Sequence, residues 1–557
     1  MRREQNGYGA LAGVVAAAVA IGTAELVATA TGASSAPLVA VGAVVVDLVP
    51  EPLKQFAIDV FDVHDKLALL VGTGVLLAGF AALIGIRALR APLVGHAGIA
   101  AFGLIGAVAA LTRPGAGPTA TLPSLLGAAL AVGVLHRLRL ILVPRPWPDA
   151  PMAVPAEPVL LVPARSDQAE RGPADRGWER DGANGERTVE GWERATPGEE
   201  RDGEPRRRFL TGAGVLLGTA AVAGFGGRWL ATRRGVSDAR AALTLPAPAS
   251  PAPPVPAGAD LGLTQVAPFT TPNSRFYRID TALVLPQVDP ETWQLRIHGR
   301  VRNPITLSYA ELLDRPLIER DITLACVSNE VGGDLVGNAR WLGVPLKDLL
   351  DQAGPLDDAD QVVGRSVDGW TCGTPTAVLR DGRDAMLAVG MNGEPLPIRH
   401  GFPVRVVVPG LYGYVSACKW VVELELTRFS DFDAYWVPRG WSARGPIKTQ
   451  SRIDTPRARN RLVAGPIIVG GVAWAQHRGV RQVEVQVDDE PWQPATLAPT
   501  VSIDTWSQWS WRWQATPGEH TLRVRATDAT GATQSGQPRP VAPDGATGWH
   551  SVRVTVG

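Results

Sequence analysis

Cysteine is scarce in this chain, and neither sign of charge is in excess. Among 557 residues there are three cysteines, Cys326, Cys372 and Cys418, and 54 Lys and Arg stand against 54 Asp and Glu for a formal net charge of zero. Three cysteines build no disulfide framework. None of them is spaced as C-x-x-C, which excludes the common zinc and dithiol redox motifs and leaves at least one thiol unpaired. Balanced charge gives no electrostatic footprint for nucleic acid, so no such partner is expected. The length points to several domains, and function has to come from local patterns.

Long apolar runs are what the chain has instead. Leu11 to Thr31, Leu67 to Leu89, Leu93 to Thr112 and Leu122 to Val143 are each close to the roughly 20 apolar residues that cross a bilayer. Residues 1–143 therefore read as an all-α transmembrane region of about four helices. A further run, Ala36 to Leu48, is shorter and is followed by Pro50 and Pro52, which predicts a re-entrant or interfacial segment. Arg2 and Arg3, Arg87 and Arg90, and Arg137, Arg139 and Arg145 mark alternate helix ends as cytoplasmic. By the positive-inside rule the amino terminus and the chain after Val143 are then inside.

Residues 144–204 are rich in Pro, Gly, Arg, Glu and Asp, the composition of a disordered cytoplasmic linker. In residues 205–234, Arg206, Arg207 and Arg208 precede Phe209 and a Gly- and Ala-rich apolar stretch. This resembles a twin-arginine export signal kept as an anchor; the plainer alternative is a fifth membrane span with a basic inner flank. Either places everything after Arg234 on the extracytoplasmic side of the cell membrane. Residues 235–260 include "AALTLPAPASPAPPVPA", which predicts an extended spacer that holds the exported part off the membrane.

Composition turns globular from Leu261. Residues 261–450 mix short strands (Trp293 to His298, Asp321 to Cys326, Val404 to Val408) with short helices (Ser308 to Leu313, Leu346 to Gln352), an α+β pattern. Residues 451–557 alternate strictly in "VEVQV", "WSWRW", "LRVRA" and "VRVTV". That period predicts an antiparallel, immunoglobulin-like β-sandwich, whose expected role is packing or association.

Three stretches of the α+β domain carry polar residues that look positioned. In "CVSNE", Cys326 ends an apolar strand and precedes Asn329; in "RHGFPVRVVVPGLYGYVSACKW", His400, Arg405 and Lys419 bracket a strand and two Gly-containing turns; in "NSRFYRID", Arg278 sits among aromatics. Arginine and lysine beside Gly-turn amides suit a phosphate, and a thiolate near such cations is a good soft-metal ligand. A lone cysteine at a strand end is otherwise a small buried hydrophobe, and His400 and Arg405 could pair with surface acids.

Taken together, these stretches resemble the molybdopterin-binding domain of the sulfite oxidase family. "NARWLGVPL" (Asn338 to Leu346), "MNGEPLP" (Met391 to Pro397) and the set His400, Gly401, Pro403, Arg405, Pro409, Gly410, Lys419 and Trp420 carry the likeness. It extends over about Pro268 to Gly557, because the sandwich is similar to the family's dimerisation domain and so implies a homodimer through it. The resemblance implies that Cys326 ligates molybdenum alongside a pterin dithiolene. It implies that His400, Arg405, Lys419 and Ser416 hold the pterin phosphate, that Tyr277 and Arg278 line the cofactor's other side, and that Asn329 belongs to the same site. Tyr435 in "FDAYWVPRGW" takes the family's tyrosine role near the metal, with a core aromatic as the alternative.

The implied activity is oxygen-atom transfer on a small-molecule substrate, with two electrons exchanged with a separate carrier. The sulfite-oxidising branch has arginines four and five residues after the cysteine, where this chain has Glu330 and Val331, so sulfite is not expected. No C-x-x-C-H is present. Of the histidines near the spans, His64, His96 and His136, the last two fall near cytoplasmic helix ends; haem in the membrane domain is not expected. The alternative function is a cofactor-free exported scaffold or binding module on the same fold.

Overall fold

The computed structural model describes residues 2–49, 65–113, 116–143, 203–233 and 236–557. His64, Arg145 and the expected disordered linker, save for its last two residues, lie outside the described residues.

The apolar runs form helices α1 (Arg2–Thr31), α2 (Pro37–Leu48), α3 (Asp65–Arg90), α4 (Pro92–Leu111), α5 (Leu122–Leu142) and α6 (Gly203–Arg233). All except α2 are long and apolar enough to cross a membrane. Small residues let their backbones meet. A Cβ on Gly13 of α1 would fall 1.9 Å from the Ala81 carbonyl oxygen of α3, one on Gly22 2.5 Å from that of Ala220 in α6, and one on Gly127 of α5 2.5 Å from that of Ala20. Helix α1 is thus the hub, and Phe209, next to the three arginines, packs edge-on to Tyr8 with ring centroids 5.5 Å apart. Leu76, Leu83, Leu93 and Phe225 point outward and are exposed, as a lipid-facing surface requires.

After α6 comes α7 (Val236–Ala242). Val236 is buried beside Phe276, Ile322 and Trp341, and Arg240 donates to the Leu396 and Pro395 carbonyls at 2.8 and 2.6 Å. The following spacer is extended, as its prolines predict, but it lies along the globular part instead of standing free of it. Ser250 exchanges backbone hydrogen bonds with Leu317 and Glu319 at 3.2 and 2.9 Å, and the Arg340 guanidinium reaches the Pro253 carbonyl. Between its prolines the spacer has free amides, and an exposed strand edge satisfies them.

The α+β domain holds two sheets. In one, β1 (Gln294–Gly299) and β2 (Ile305–Ser308) join β5 (Gln361–Ser366), β6 (Thr371–Pro375) and β10 (Val421–Thr427) in the order β2-β1-β10-β5-β6. In the other, β3 (Ile318–Ala325), β4 (Val336–Pro345), β7 (Met386–Met391) and β8 (Glu394–Pro395) run antiparallel in that order, with β9 (Arg405–Val407) on β7. Between the strands, helix α8 (Tyr309–Leu313) starts on a capping box: the Ser308 hydroxyl accepts from the Glu311 amide and the Glu311 carboxylate from the Ser308 amide. Helix α9 (Leu346–Ala353) ends on Gly354 at φ +65°.

Residues 450–556 form two facing sheets. One contains Gln450–Thr455, Gly465–Trp474, Thr496–Leu497 and Ser507–Ala515; the other contains Arg461–Leu462, Val480–Val487, Gln493–Pro494, Gly518–Asp528 and His550–Val556. Inward residues such as Val469, Val485, Trp509, Val524 and Val554 fill the space between, as the period of two predicts. All pairings are antiparallel except Arg461–Leu462 on the last strand. The sandwich grips the α+β domain at β3: Thr323 donates its amide to the Asp504 carbonyl at 2.9 Å, and Gln476 donates to the Thr323 carbonyl at 3.1 Å.

Candidate active site at the end of strand β3

Strand β3 is buried from Asp321 onward, and its pairing with β4 closes at Ala325 and Val336. Cys326 is the next residue. Its amide donates to the Leu335 carbonyl at 2.9 Å, the Asn329 amide donates back to the Cys326 carbonyl at 3.1 Å, and Asn329 Oδ1 accepts from the Leu335 amide at 2.8 Å. Asn329 therefore staples the loop that carries the cysteine. Burial pushes the Cys326 thiol up, while hydrogen bonds from Ser328 and the charge of Lys419 pull it down. Two phenols feel its charge: Tyr277, raised chiefly by desolvation, and Tyr412, pushed up by burial to about 12.

The loop's far end rests on the sandwich. Arg452 donates to the Gly333 carbonyl at 2.7 Å, and Gly332, at φ +82°, lies so close to His550 that a Cβ would fall 2.1 Å from its Cδ2. Gly332→Ala is expected to strain the backbone and push this seam open, at a cost of about 1–3 kcal/mol before the clash is relieved. A denaturation midpoint unchanged from wild type would refute it.

Across from the cysteine loop lies a cluster of cations. Arg405, on β9, is 5% exposed and has no acid partner among the described residues. It donates to the His400 carbonyl at 3.2 Å, and its guanidinium lies 5.0 Å from the Trp341 ring centroid. Burial lowers it to about 10, against the charges of Tyr277 and Cys418. Gly401, at φ +111°, brings the backbone this close: a Cβ there would sit 3.0 Å from Arg405 Cβ and 3.2 Å from Lys419 Cα.

Lys419 is lowered to about 8 by burial, against the pull of Asp280. It donates to Asp280 Oδ2 at 2.7 Å and to the Ile279 carbonyl at 3.1 Å. Arg278 bonds the same carboxylate through two nitrogens, at 2.7 and 3.1 Å. Arg278 and Lys419 thus share one acid. Asp280 escaped the sequence reading, although an acid two residues from Arg278 was a visible signal.

His400, 1% exposed, has Nε2 3.0 Å from the Asn273 carbonyl. Desolvation, then the charge of Arg405, hold it down to about 3, so it is neutral and donates. Its folded value lies below the unfolded one of 6.5, so the unfolded chain takes up the extra proton as pH falls. The stability contributed by keeping His400 neutral is therefore present above about pH 6.5 and is lost between there and about pH 3, by at most about 5 kcal/mol. His400→Gln should flatten that part of the stability profile; an unchanged acid limb would refute it.

Ser416, fully buried, donates to the Tyr412 carbonyl at 3.0 Å in the turn before Lys419. Tyr435 is half-buried under the Arg439 guanidinium, 3.7 Å from its ring centroid, with Trp436 edge-on at 5.1 Å. Glu330 is exposed and Val331 half-buried. Cys372 and Cys418, both free, lie side by side, and a Cβ on Gly364 would meet both, at 3.1 Å from Cys372 Sγ and 3.2 Å from Cys418 Cβ. In the bundle, the His96 and His136 rings come within 5.6 Å. Among the described residues, no group of three or more His, Cys, Asp and Glu is placed to hold a metal. A site here would draw on the Cys326 thiolate and non-protein ligands.

A buried thiol at a strand end within range of the Lys419 charge, with an arginine that has no acid partner among the described residues and a neutral histidine beside it, is a donor set suited to a soft metal tied to an anionic organic group. Comparison with known proteins gives the same class: residues 282–436 match the oxidoreductase molybdopterin binding domain family. The chain belongs to the sulfite oxidase family of molybdenum-dependent oxidoreductases. It is 32% identical over 183 residues to the uncharacterized oxidoreductase YuiH of Bacillus subtilis, covering 32% of this chain and 88% of that protein. It is 30% identical over 341 residues to mitochondrial sulfite oxidase of Rattus norvegicus, covering 52% of this chain and 62% of that protein. The chain spans 62% of the length of the mammalian sulfite oxidases it matches. The sulfane dehydrogenase SoxCD of Paracoccus pantotrophus superposes with a TM-score of 0.46 and 22% identity, over 52% of this chain and 81% of that one.

The family implies a molybdenum cofactor, and the residues present fit one. The unbalanced Arg405, with Lys419 beside it, would offer charge for a phosphate, and Cys326 would supply a sulfur.

Proposed function

We propose that the chain is a membrane-anchored, extracytoplasmic molybdopterin-dependent oxidoreductase whose substrate is a small molecule other than sulfite. The observation that carries this is Arg405. A guanidinium buried without an acid is costly in a chain that binds nothing, and a phosphate group relieves that cost with a matching fork of hydrogen bonds. When bound, the cofactor supplies two-electron oxygen-atom transfer and exchanges electrons with a separate carrier.

The protein's part is to bind and orient. Cys326 ligates the metal, Arg405 and Lys419 take the phosphate, and His400 keeps its Nε2 proton on Asn273. Tyr277 lies within electrostatic range of both Cys326 and Arg405. Glu330 and Val331 present no cation to draw in a dianion, which argues against sulfite. Five long apolar helices, with basic residues at alternate ends, support the anchor and an outward catalytic domain. A reporter fused after Gly557 should be active only outside the cytoplasm.

The test is the molybdenum content of the full chain, purified in detergent from a host that makes the pterin cofactor. About one metal per chain supports the proposal. A folded preparation without molybdenum refutes it and favours the cofactor-free scaffold.

A further inference from the structure

Two buried thiols take no part in the chemistry proposed above. Cys372 lies on β6, directly opposite Gly364 of β5 in the ladder, and Cys418 lies in the turn that leads into Lys419. Glycine weakens the middle of a strand, and at Gly364 a close approach accounts for it. A Cβ there would fall 3.1 Å from Cys372 Sγ, 3.2 Å from Cys418 Cβ and 3.7 Å from Cys418 Sγ. The space that a side chain would fill is the space in which the two thiols meet.

The thiols hydrogen bond to each other and are unequal. That bond, helped by the amides of Gly364 and Cys418, pulls the Cys372 thiol down against burial. Burial, and then the same bond, pushes Cys418 up. A sulfur that ionises beside one that keeps its proton is the division between an attacking and a resolving thiol. Around the pair, the Cys418 carbonyl accepts from the Val406 amide at 2.8 Å, and the turn leaves through Lys419 and through Trp420 at φ +52°, a backbone that side chains rarely adopt. The Thr374 hydroxyl of β6 already donates to the Val415 carbonyl at 2.6 Å, so strand and turn are in register for a second link. Strand β6 is the last in its sheet, where local opening admits a small reagent to sulfurs that are 1% and 0% exposed.

We propose that Cys372 and Cys418 are a redox-active dithiol that a hydroperoxide oxidises to a disulfide, fastening the Lys419 turn to β6. With hydrogen peroxide, the Cys372 thiolate attacks one oxygen and the O–O bond breaks; Cys372 becomes a sulfenic acid, and the other oxygen takes up the proton that Cys372 released and leaves as water. The Cys418 sulfur then attacks that of Cys372, the S–O bond breaks, and the hydroxyl leaves as a second water with the Cys418 proton. Two electrons pass from the pair to the peroxide, and a dithiol reductant reverses the bond. The dithiol does not rest on the function proposed above.

The test treats the folded full chain in detergent with hydrogen peroxide, blocks remaining thiols with N-ethylmaleimide in denaturant, and digests without reductant for mass spectrometry. One peptide pair joined through Cys372 and Cys418 is expected, two hydrogens lighter than its thiol forms and returned to them by dithiothreitol. Cys418→Ser should leave a Cys372 sulfenic acid that dimedone traps, and Cys372→Ser should give about tenfold less trapping at Cys418. Amide exchange over residues 416–420 should slow about tenfold in the oxidised chain and recover on reduction. Cys372 and Cys418 both recovered as maleimide adducts after peroxide, or linked to Cys326 as often as to each other, overturn the proposal; unchanged exchange in a linked chain overturns the fastening. A chain that forms the link but holds no molybdenum keeps the dithiol and removes the enzyme reading; molybdenum without the link does the reverse.

Discussion

Cys326→Ser is expected to lower bound molybdenum about tenfold or more and to take activity to the level of the metal-free chain, with the fold intact. The backbone bonds that shape this position come from amides and carbonyls: Cys326 to Leu335, and Asn329 back to Cys326. Serine can make both. A buried Cys to Ser change with its neighbours in place is expected to cost about 1 kcal/mol, small against the loss of a soft ligand. A serine hydroxyl stays protonated where a thiol ionises, so it supplies no anionic sulfur to the metal. The measurement is metal per chain by elemental analysis, paired with the electron paramagnetic resonance signal of the reduced centre. Retained molybdenum with full activity would show that Cys326 is merely a small buried side chain.

How much of this was legible in the sequence depended on range. The long apolar helices were legible because each is an uninterrupted run of about twenty apolar residues, and the sandwich because its strands alternate over their whole length. The strand ending at Ala325 and the turn at Pro409 and Gly410 were legible from local punctuation. The sharing of Asp280 was not. Arg278 and Lys419 are more than a hundred residues apart, and nothing local says that one carboxylate serves both. Resemblance gave each cation its own place around a ligand, and the geometry adds the carboxylate that links them. The spacer misled for a related reason: its composition fixes an extended backbone but does not say whether a strand edge is available to receive it. Tyr412 was passed over because it reads as one more aromatic in a Gly-rich turn, and only the fold brings its phenol within range of Cys326.

Arg405→Met should have opposite effects on the empty and loaded chains. In the empty chain Arg405 is a cation at 5% exposure, held by one backbone carbonyl at 3.2 Å, a second at 3.5 Å and the face of Trp341. The ring contact returns about 1–2 kcal/mol of a desolvation cost of several. Methionine has a similar length, needs no counter-charge and packs on Trp341, so the empty variant should unfold at higher denaturant, by about 1–4 kcal/mol. Cofactor binding should move the other way, because the fork that matches a phosphate is gone, and molybdenum content should fall about tenfold or more. Arg405→Lys keeps the charge without the fork and should fall between. The two signs separate the possible roles of this residue. A structural arginine would destabilise the empty chain when replaced and leave metal content to follow the folded fraction; a phosphate-binding one stabilises the empty chain and loses the metal. An empty Arg405→Met chain less stable than wild type would show that the guanidinium belongs to the core and that the anion site lies elsewhere.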